Sequence, residues 1–163
     1  LKTRPDKWHR MNTDRLSRFH RTRPALALAE EMVRMHEALV EKVFQTIKNP
    51  DNKSRLDFYQ AMPPEDLRWY ISVVYNHLLT SVRHGDRSIM ITFAQDLSRM
   101  AMEEDVSLDE LCGALAITRD IITHGLYNNP KLLNMKLLVH DYITLAIQLA
   151  MDEIKDVYED IPR

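Results

Sequence analysis

Residues 130–161 read PKLLNMKLLVHDYITLAIQLAMDEIKDVYEDI, and the fold of the chain turns on them. The stretch reads as one unbroken helix. From Leu137 to Met151 its polar residues form a single narrow stripe, His140 or Asp141, then Thr144, Gln148 and Asp152, spaced three or four apart. A helix that is apolar around most of its circumference has to be covered on several sides, by its own bundle or by a second copy of the chain. At about 1.5 Å per residue it would run roughly 45 Å, more than a compact domain of this size needs. It is therefore expected to act as both core and connector. One chain is not expected to cover it fully, so the reading includes a homodimer, with Leu145, Leu149 and Ile154 at the interface.

Upstream, Asn128-Asn129-Pro130 is a break. Before it, Ser107 with Glu110 has the form of a capping box, and Leu108, Leu111, Leu115, Ile122 and Leu126 give the helix it opens an inward face running to Tyr127. Met90, Phe93, Ala94, Leu97 and Ala101 mark a helix over 87–104. Another follows Met62-Pro63-Pro64, carries Leu67, Ile71, Val74, Leu78 and Val82 inward, and meets Gly85 where a left-handed cap belongs. Glu65 and Asp66 in its first turn complement the helix dipole. Thr22 to Pro24 is a start signal for a helix reaching Lys48, with Leu28, Met32, Met35, Leu39 and Val43 repeating at three to four. Asn49-Pro50-Asp51-Asn52 ends it, and Ser54 to Gln60 has room for two turns. The predicted fold is all-α: a bundle of about five long helices plus one or two short ones, ending in a long C-terminal helix. A globin-like topology is the alternative.

Composition agrees. Among 163 residues, 45% are hydrophobic, 28% are charged and only three are glycine, which suits helices better than strands and tight turns. The single cysteine, Cys112, permits no internal disulfide and fits a cytoplasmic setting. No apolar run is long enough to span a membrane. The chain opens on Leu1 and closes at Ile161-Pro162-Arg163, as a piece of a longer protein would. Residues 1–24 hold eight Lys or Arg against Asp6 and Asp14, a balance of +6, which leaves −8 on the rest of a chain whose net charge is −2. Residues 1–23 are accordingly read as a basic arm, with Trp8, Leu16 and Phe19 as anchors, ahead of a helical domain over 24–163. A solvated arm lying against the acidic body is favoured over one that binds nucleic acid.

The seven histidines raise the question of a metal or haem. Asp120 and His124 lie one helical turn apart, but zinc wants three or four ligands and no third is evident. His77 sits at the margin of an apolar stripe, as a structural hydrogen-bonder or a pocket residue. His140 lies in the mostly apolar terminal helix, where a haem ligand would need an apolar pocket on a neighbouring helix. No cofactor is assigned. Phosphate loops, nucleophile elbows and metalloprotease motifs do not appear.

The run Phe93-Ala94-Gln95-Asp96-Leu97 to Ala101, then Val106-Ser107-Leu108-Asp109-Glu110-Leu111, then Ala114-Leu115 with Thr118-Arg119-Asp120-Ile121-Ile122, resembles the amino-terminal domain of RsbR-type bacterial co-antagonists. Similar helical modules precede sulfate-transporter/anti-sigma-antagonist, histidine-kinase or PucR-type output domains. The likeness covers 86–160 by motif and the first half by helix count, and the basic arm is not part of it. It implies a sensory or regulatory input module with no enzymatic activity, in which Arg119, Asp141 or Asp152, and Tyr158 fill the family's polar positions.

Arg119 also stands out from the residues alone. Four positions after Leu115 and three before Ile122, it falls on the apolar side of its helix, where an unpaired guanidinium is costly. Asp141 and Asp152 are its expected partners. Arg119, His77 and His140 are the candidate ligand-binding residues, and the expected function is a cytoplasmic signalling input domain acting through its terminal helix on an output domain or partner protein. A haem-binding gas sensor and an adaptor working through the basic arm are the competing readings.

Overall fold

The computed structural model describes residues 23–52 and 56–160. The basic arm with Trp8, Leu16 and Phe19, the Thr22 start signal, Ser54 and Ile161 lie outside the described residues. Within them the chain is an all-α bundle. In chain order it comprises α1 (Arg23–Lys48), α2 (Asp57–Ala61), α3 (Pro64–His84), α4 (Ser88–Glu103) and α5 (Leu108–Tyr127). A 3-10 helix (Pro130–Met135), α6 (Lys136–Val139), a π-helical turn (His140–Thr144) and α7 (Leu145–Glu159) complete it.

Local signals set most of these ends. Pro64 stands in the first turn of α3, and Gly85 closes that helix in the left-handed region at φ 62°, its N–H reaching back to the Ser81 and Val82 carbonyls. Ser107 caps α5 by accepting the Glu110 N–H at 3.2 Å. The capping box is only half made, because Glu110 turns its carboxylate elsewhere. Its Oε1 accepts the Phe58 and Tyr59 N–H groups at 2.6 and 3.2 Å, so a residue of α5 caps the start of α2, which has no side-chain cap of its own.

α1 and α3 pack antiparallel. At one end Ala25 and Ala29 face Val82. At the other, Arg68 donates through Nε and Nη2 to the two Glu41 carboxylate oxygens at 2.9 and 3.1 Å, with its guanidinium 3.9 Å from the centre of the Phe44 ring. Between them the buried Tyr75 gives its hydroxyl to the Met32 carbonyl at 2.6 Å, so the ring is buried without stranding its polar tip. α5 crosses α1 closely where Gly125 meets Leu39. α7 lies against α4 and α5, with Ala146, Ile147, Ala150 and Ile154 buried.

The expected unbroken helix over 130–161 is not what forms. Asn129 accepts the Lys131 N–H at 3.0 Å and Pro130 follows, which starts a tight 3-10 turn burying only Leu132. Met135, at φ −118°, ends that turn, so the α-helix begins at Lys136. The turn is also tied sideways: Asn129 Nδ2 donates to Glu31 Oε2 at 3.0 Å, anchoring it on α1. From Lys136 to Glu159 the backbone is one rod with a π turn inside it, about 36 Å long at helical rise. A single chain covers much of this rod but leaves part of its apolar surface exposed. Leu133 and Leu137 are strongly exposed, Leu149 is 38% exposed and Ile154 is fully buried inside the chain.

Candidate functional site

The polar stripe of the terminal helix faces α5, not water alone, and this decides where the polar chemistry gathers. Thr144 Oγ1 lies 3.0 Å from Thr123 Oγ1. One turn on, Gln148 Oε1 accepts Arg119 Nη1 at 3.1 Å, and Gln148 Nε2 donates to Asp152 Oδ1 at 3.1 Å. Arg119 Nε also donates to Asp120 at 2.9 Å. Its side chain is 23% exposed. The expected direct pairing with Asp141 or Asp152 is replaced by a relay: Gln148 stands between Arg119 and Asp152, and the adjacent Asp120 takes the charge. Asp120 is mostly exposed, so its carboxylate gives up little solvation to make this pair.

Further contacts stitch the rod along its length. Tyr142 Oη lies 3.5 Å from the Gly85 carbonyl, Gln95 Nε2 donates to Glu153 at 2.9 Å, and Tyr158 Oη donates to the Val106 carbonyl at 2.8 Å. The π turn holds Tyr142 toward the C-cap of α3, Thr144 toward α5 and Ile143 in the core. A π turn inserts extra backbone into a helix and recurs at functional positions.

A cleft of about 840 Å³ lies between the first half of α1 and the end of α3. Ala25, Leu26, Ala29, Val33 and Val82 give it an apolar floor, and Glu30, Arg34, Arg83 and His84 stand at its rim. Arg34 is held by Glu31 at 2.8 Å. The cleft is open to solvent, with Leu26 and Val33 more than half exposed. It ends one residue from Gly85, whose carbonyl faces Tyr142 in the π turn.

His77 is held locally. Its Nδ1–H donates to the Val73 carbonyl at 2.7 Å and its ring stacks on Phe93, with centroids 4.1 Å apart. His140 is exposed, which removes the apolar pocket that haem ligation there would need. Arg119, His77 and His140 therefore occupy three separate settings. Cys112 is half-buried, and burial pushes its thiol up from the usual range. Among the described residues no group of three or more His, Cys, Asp and Glu is placed to hold a metal, and no helix is long and apolar enough to cross a membrane.

The α1/α3 cleft was not among the predicted sites. A signal for it existed in sequence: Leu26 and Val33 are apolar, seven apart, and off the core stripe of their helix, and both are more than half exposed in the fold. Compared with family models, curated proteins and solved structures, the chain matches none.

Proposed function

We propose that this chain is a non-enzymatic signal-transduction input domain that takes a small ligand in the α1/α3 cleft and passes a change through its terminal helix to an output domain or partner protein. The contact of Tyr142 with the Gly85 carbonyl carries the reading, because it joins the end of the cleft wall to the π turn of the rod. A ligand biases such a rod only by binding two packings unequally. The π turn supplies a second packing: removing its extra residue would turn α7 relative to α6 and reset the Thr144 and Gln148 contacts on α5. The same reading makes the module cytoplasmic and homodimeric, with the exposed Leu149 and partly exposed Leu145 facing the second copy. The likeness to RsbR-type input domains supports the role.

A fragment screen by amide chemical shifts tests it. Fragments that shift Ala29 and Val82 are expected to shift residues 140–144 as well, and Tyr142→Phe is expected to abolish the second set while leaving the first. Fragments that move only the cleft amides would refute transmission through the rod.

A further inference from the structure

The outer side of the terminal rod carries leucines that its own chain does not cover. Leu137 is 80% exposed, Leu149 is 38% exposed, and Leu145 between them is partly exposed. In an uninterrupted α-helix of about 3.6 residues per turn, Leu145 would stand about 80° round from Leu137. The π turn at His140–Thr144 takes in extra backbone between the two. One extra residue is about 100° of α-helical winding, which returns Leu145 to within about 20° of the side that Leu137 occupies. Leu149 lies about 40° further round. The three leucines therefore form one line along the rod, opposite the buried Val139, Ile147 and Ile154.

The charges of the rod are divided between its ends. Residues 130–140 contain Lys131 and Lys136, both exposed, and no Asp or Glu. Toward the other end Asp152, Asp156, Glu159 and Asp160 are exposed, with Lys155 the one exposed cation among them. The helix dipole has the same polarity, positive at the start and negative at the end. Such a rod meets a second copy of itself favourably in one direction only. In a parallel pair each group opposes its own copy, Lys136 against Lys136 and Asp152 against Asp152, and like charges repel. An antiparallel pair with Leu137 against the partner's Leu149 keeps the leucine lines in contact and brings Lys136 close to the partner's Asp152. The same register sets the two copies of Asp141, half-buried between Leu137 and Leu145, roughly 6 Å apart along the rods, where a parallel pair would hold them side by side.

We propose that the module pairs with a second copy of itself through this face in antiparallel register, Leu137 of each protomer against the partner's Leu149 and Lys136 beside the partner's Asp152. The inference rests on the homodimeric reading above and adds its direction. In this arrangement the two rods end on opposite sides of the dimer, so each output is reached through its own rod.

The test combines cross-linking with charge reversal in the full chain. A disulfide needs Cα atoms within about 7 Å. In the antiparallel register the two copies of residue 137 stand about 18 Å apart along the rods. In a Cys112→Ser background under mild oxidation, Leu137→Cys alone and Leu149→Cys alone are expected to stay uncross-linked, and an equimolar mixture of the two is expected to give a covalent dimer. Lys136→Glu should raise the dimer dissociation constant about fivefold, a modest change because both partners are solvated. Lys136→Glu/Asp152→Lys should return it to the parent value, with circular dichroism showing the same helical content throughout. Cross-linking of Leu137→Cys with itself, a dimer whose mixture does not cross-link, or a double reversal that associates no better than Lys136→Glu would overturn the antiparallel register and leave the homodimer standing. A parent protein of monomeric mass would remove both.

Discussion

Arg119 of α5 donates from Nη1 to Gln148 Oε1 of α7 across 3.1 Å, and this one hydrogen bond places a charged residue in the seam between α5 and the terminal rod. A fully buried ion pair broken from one side costs about 3 to 5 kcal/mol. Here the side chain keeps 23% of its exposure, its acceptor on α7 is a neutral amide, and its carboxylate partner, Asp120, is solvated. Arg119→Met is therefore expected to cost about 1 kcal/mol, the range of an ordinary net hydrogen bond. A double-mutant cycle with Gln148→Ala, read by chemical denaturation, should give a coupling of about 0.5 to 1 kcal/mol. Coupling indistinguishable from zero would mean that the seam does not depend on this bond.

Two glycines in α5 should respond to alanine with opposite signs. A Cβ at Gly113 would meet Leu56 Cδ2 at 3.7 Å, ordinary contact, so Gly113→Ala is expected to stabilise by about 0.5 to 1 kcal/mol through helix propensity. A Cβ at Gly125 would come within 2.5 Å of Leu39 Cδ2, and Leu39 is itself buried. Gly125→Ala should cost about 1 to 2 kcal/mol despite the better propensity. In the Gly125→Ala background Leu39→Ala should be less costly than in the parent. Additive effects of the two changes would show that the helices do not touch closely there.

Low pH should loosen α1 from its neighbours through two carboxylates. The Arg68 side chain, bonded to both oxygens of Glu41, holds that carboxyl down to about 2, with Gln45 helping. The Asn129 amide bonded to Glu31 lowers that carboxyl too, against the opposing effect of its burial. A carboxyl depressed in the folded state binds fewer protons there than in the unfolded chain, so stability rises with pH across the window. The contribution is complete above the ordinary carboxyl value near 4.5 and is lost as pH falls toward 2. Thermal midpoints measured from pH 5 to 2 should fall less steeply in Glu31→Gln and Glu41→Gln than in the parent. Because Glu41 and Arg68 are both well exposed, solvent screening should keep the Glu41 effect small. Identical slopes in all three proteins would locate the acid sensitivity elsewhere.

The helices whose ends carry strong local signals were legible in the sequence. Pro64 and Gly85 bound α3, Ser107 opens α5, and the three-to-four repeats of Leu28 to Val43 and of Leu67 to Val82 name residues that are nearly all buried. The terminal segment was read too simply, because a periodic pattern does not reveal a 3-10 turn anchored sideways by Asn129 on Glu31, or a π turn that keeps every residue helical. Arg119 was recognised as a seam residue from its position between Leu115 and Ile122. Its partner was not, since spacing on one helix says nothing of which residue of another it meets.

Leu149 and Ile154, five residues apart on α7, separate the burial of the rod within one chain from its burial between two. Ile154 is fully enclosed by its own chain, whereas Leu149 is 38% exposed. A glutamate at Ile154 would put an unpaired charge in the core, so Ile154→Glu is expected to remove helical content outright. Leu149→Glu should leave the helical content intact and change the thermal midpoint little, since its site is already partly wet. If the module is a homodimer through this face, Leu149→Glu should halve the mass measured by light scattering at micromolar concentration, and Leu145→Glu should weaken association as well. Helical content that survives Ile154→Glu would contradict the packing of α7 in the bundle. A parent protein that is already monomeric, or a Leu149→Glu variant of unchanged mass, would leave Leu149 as an ordinary exposed leucine and remove the dimer from the proposed function.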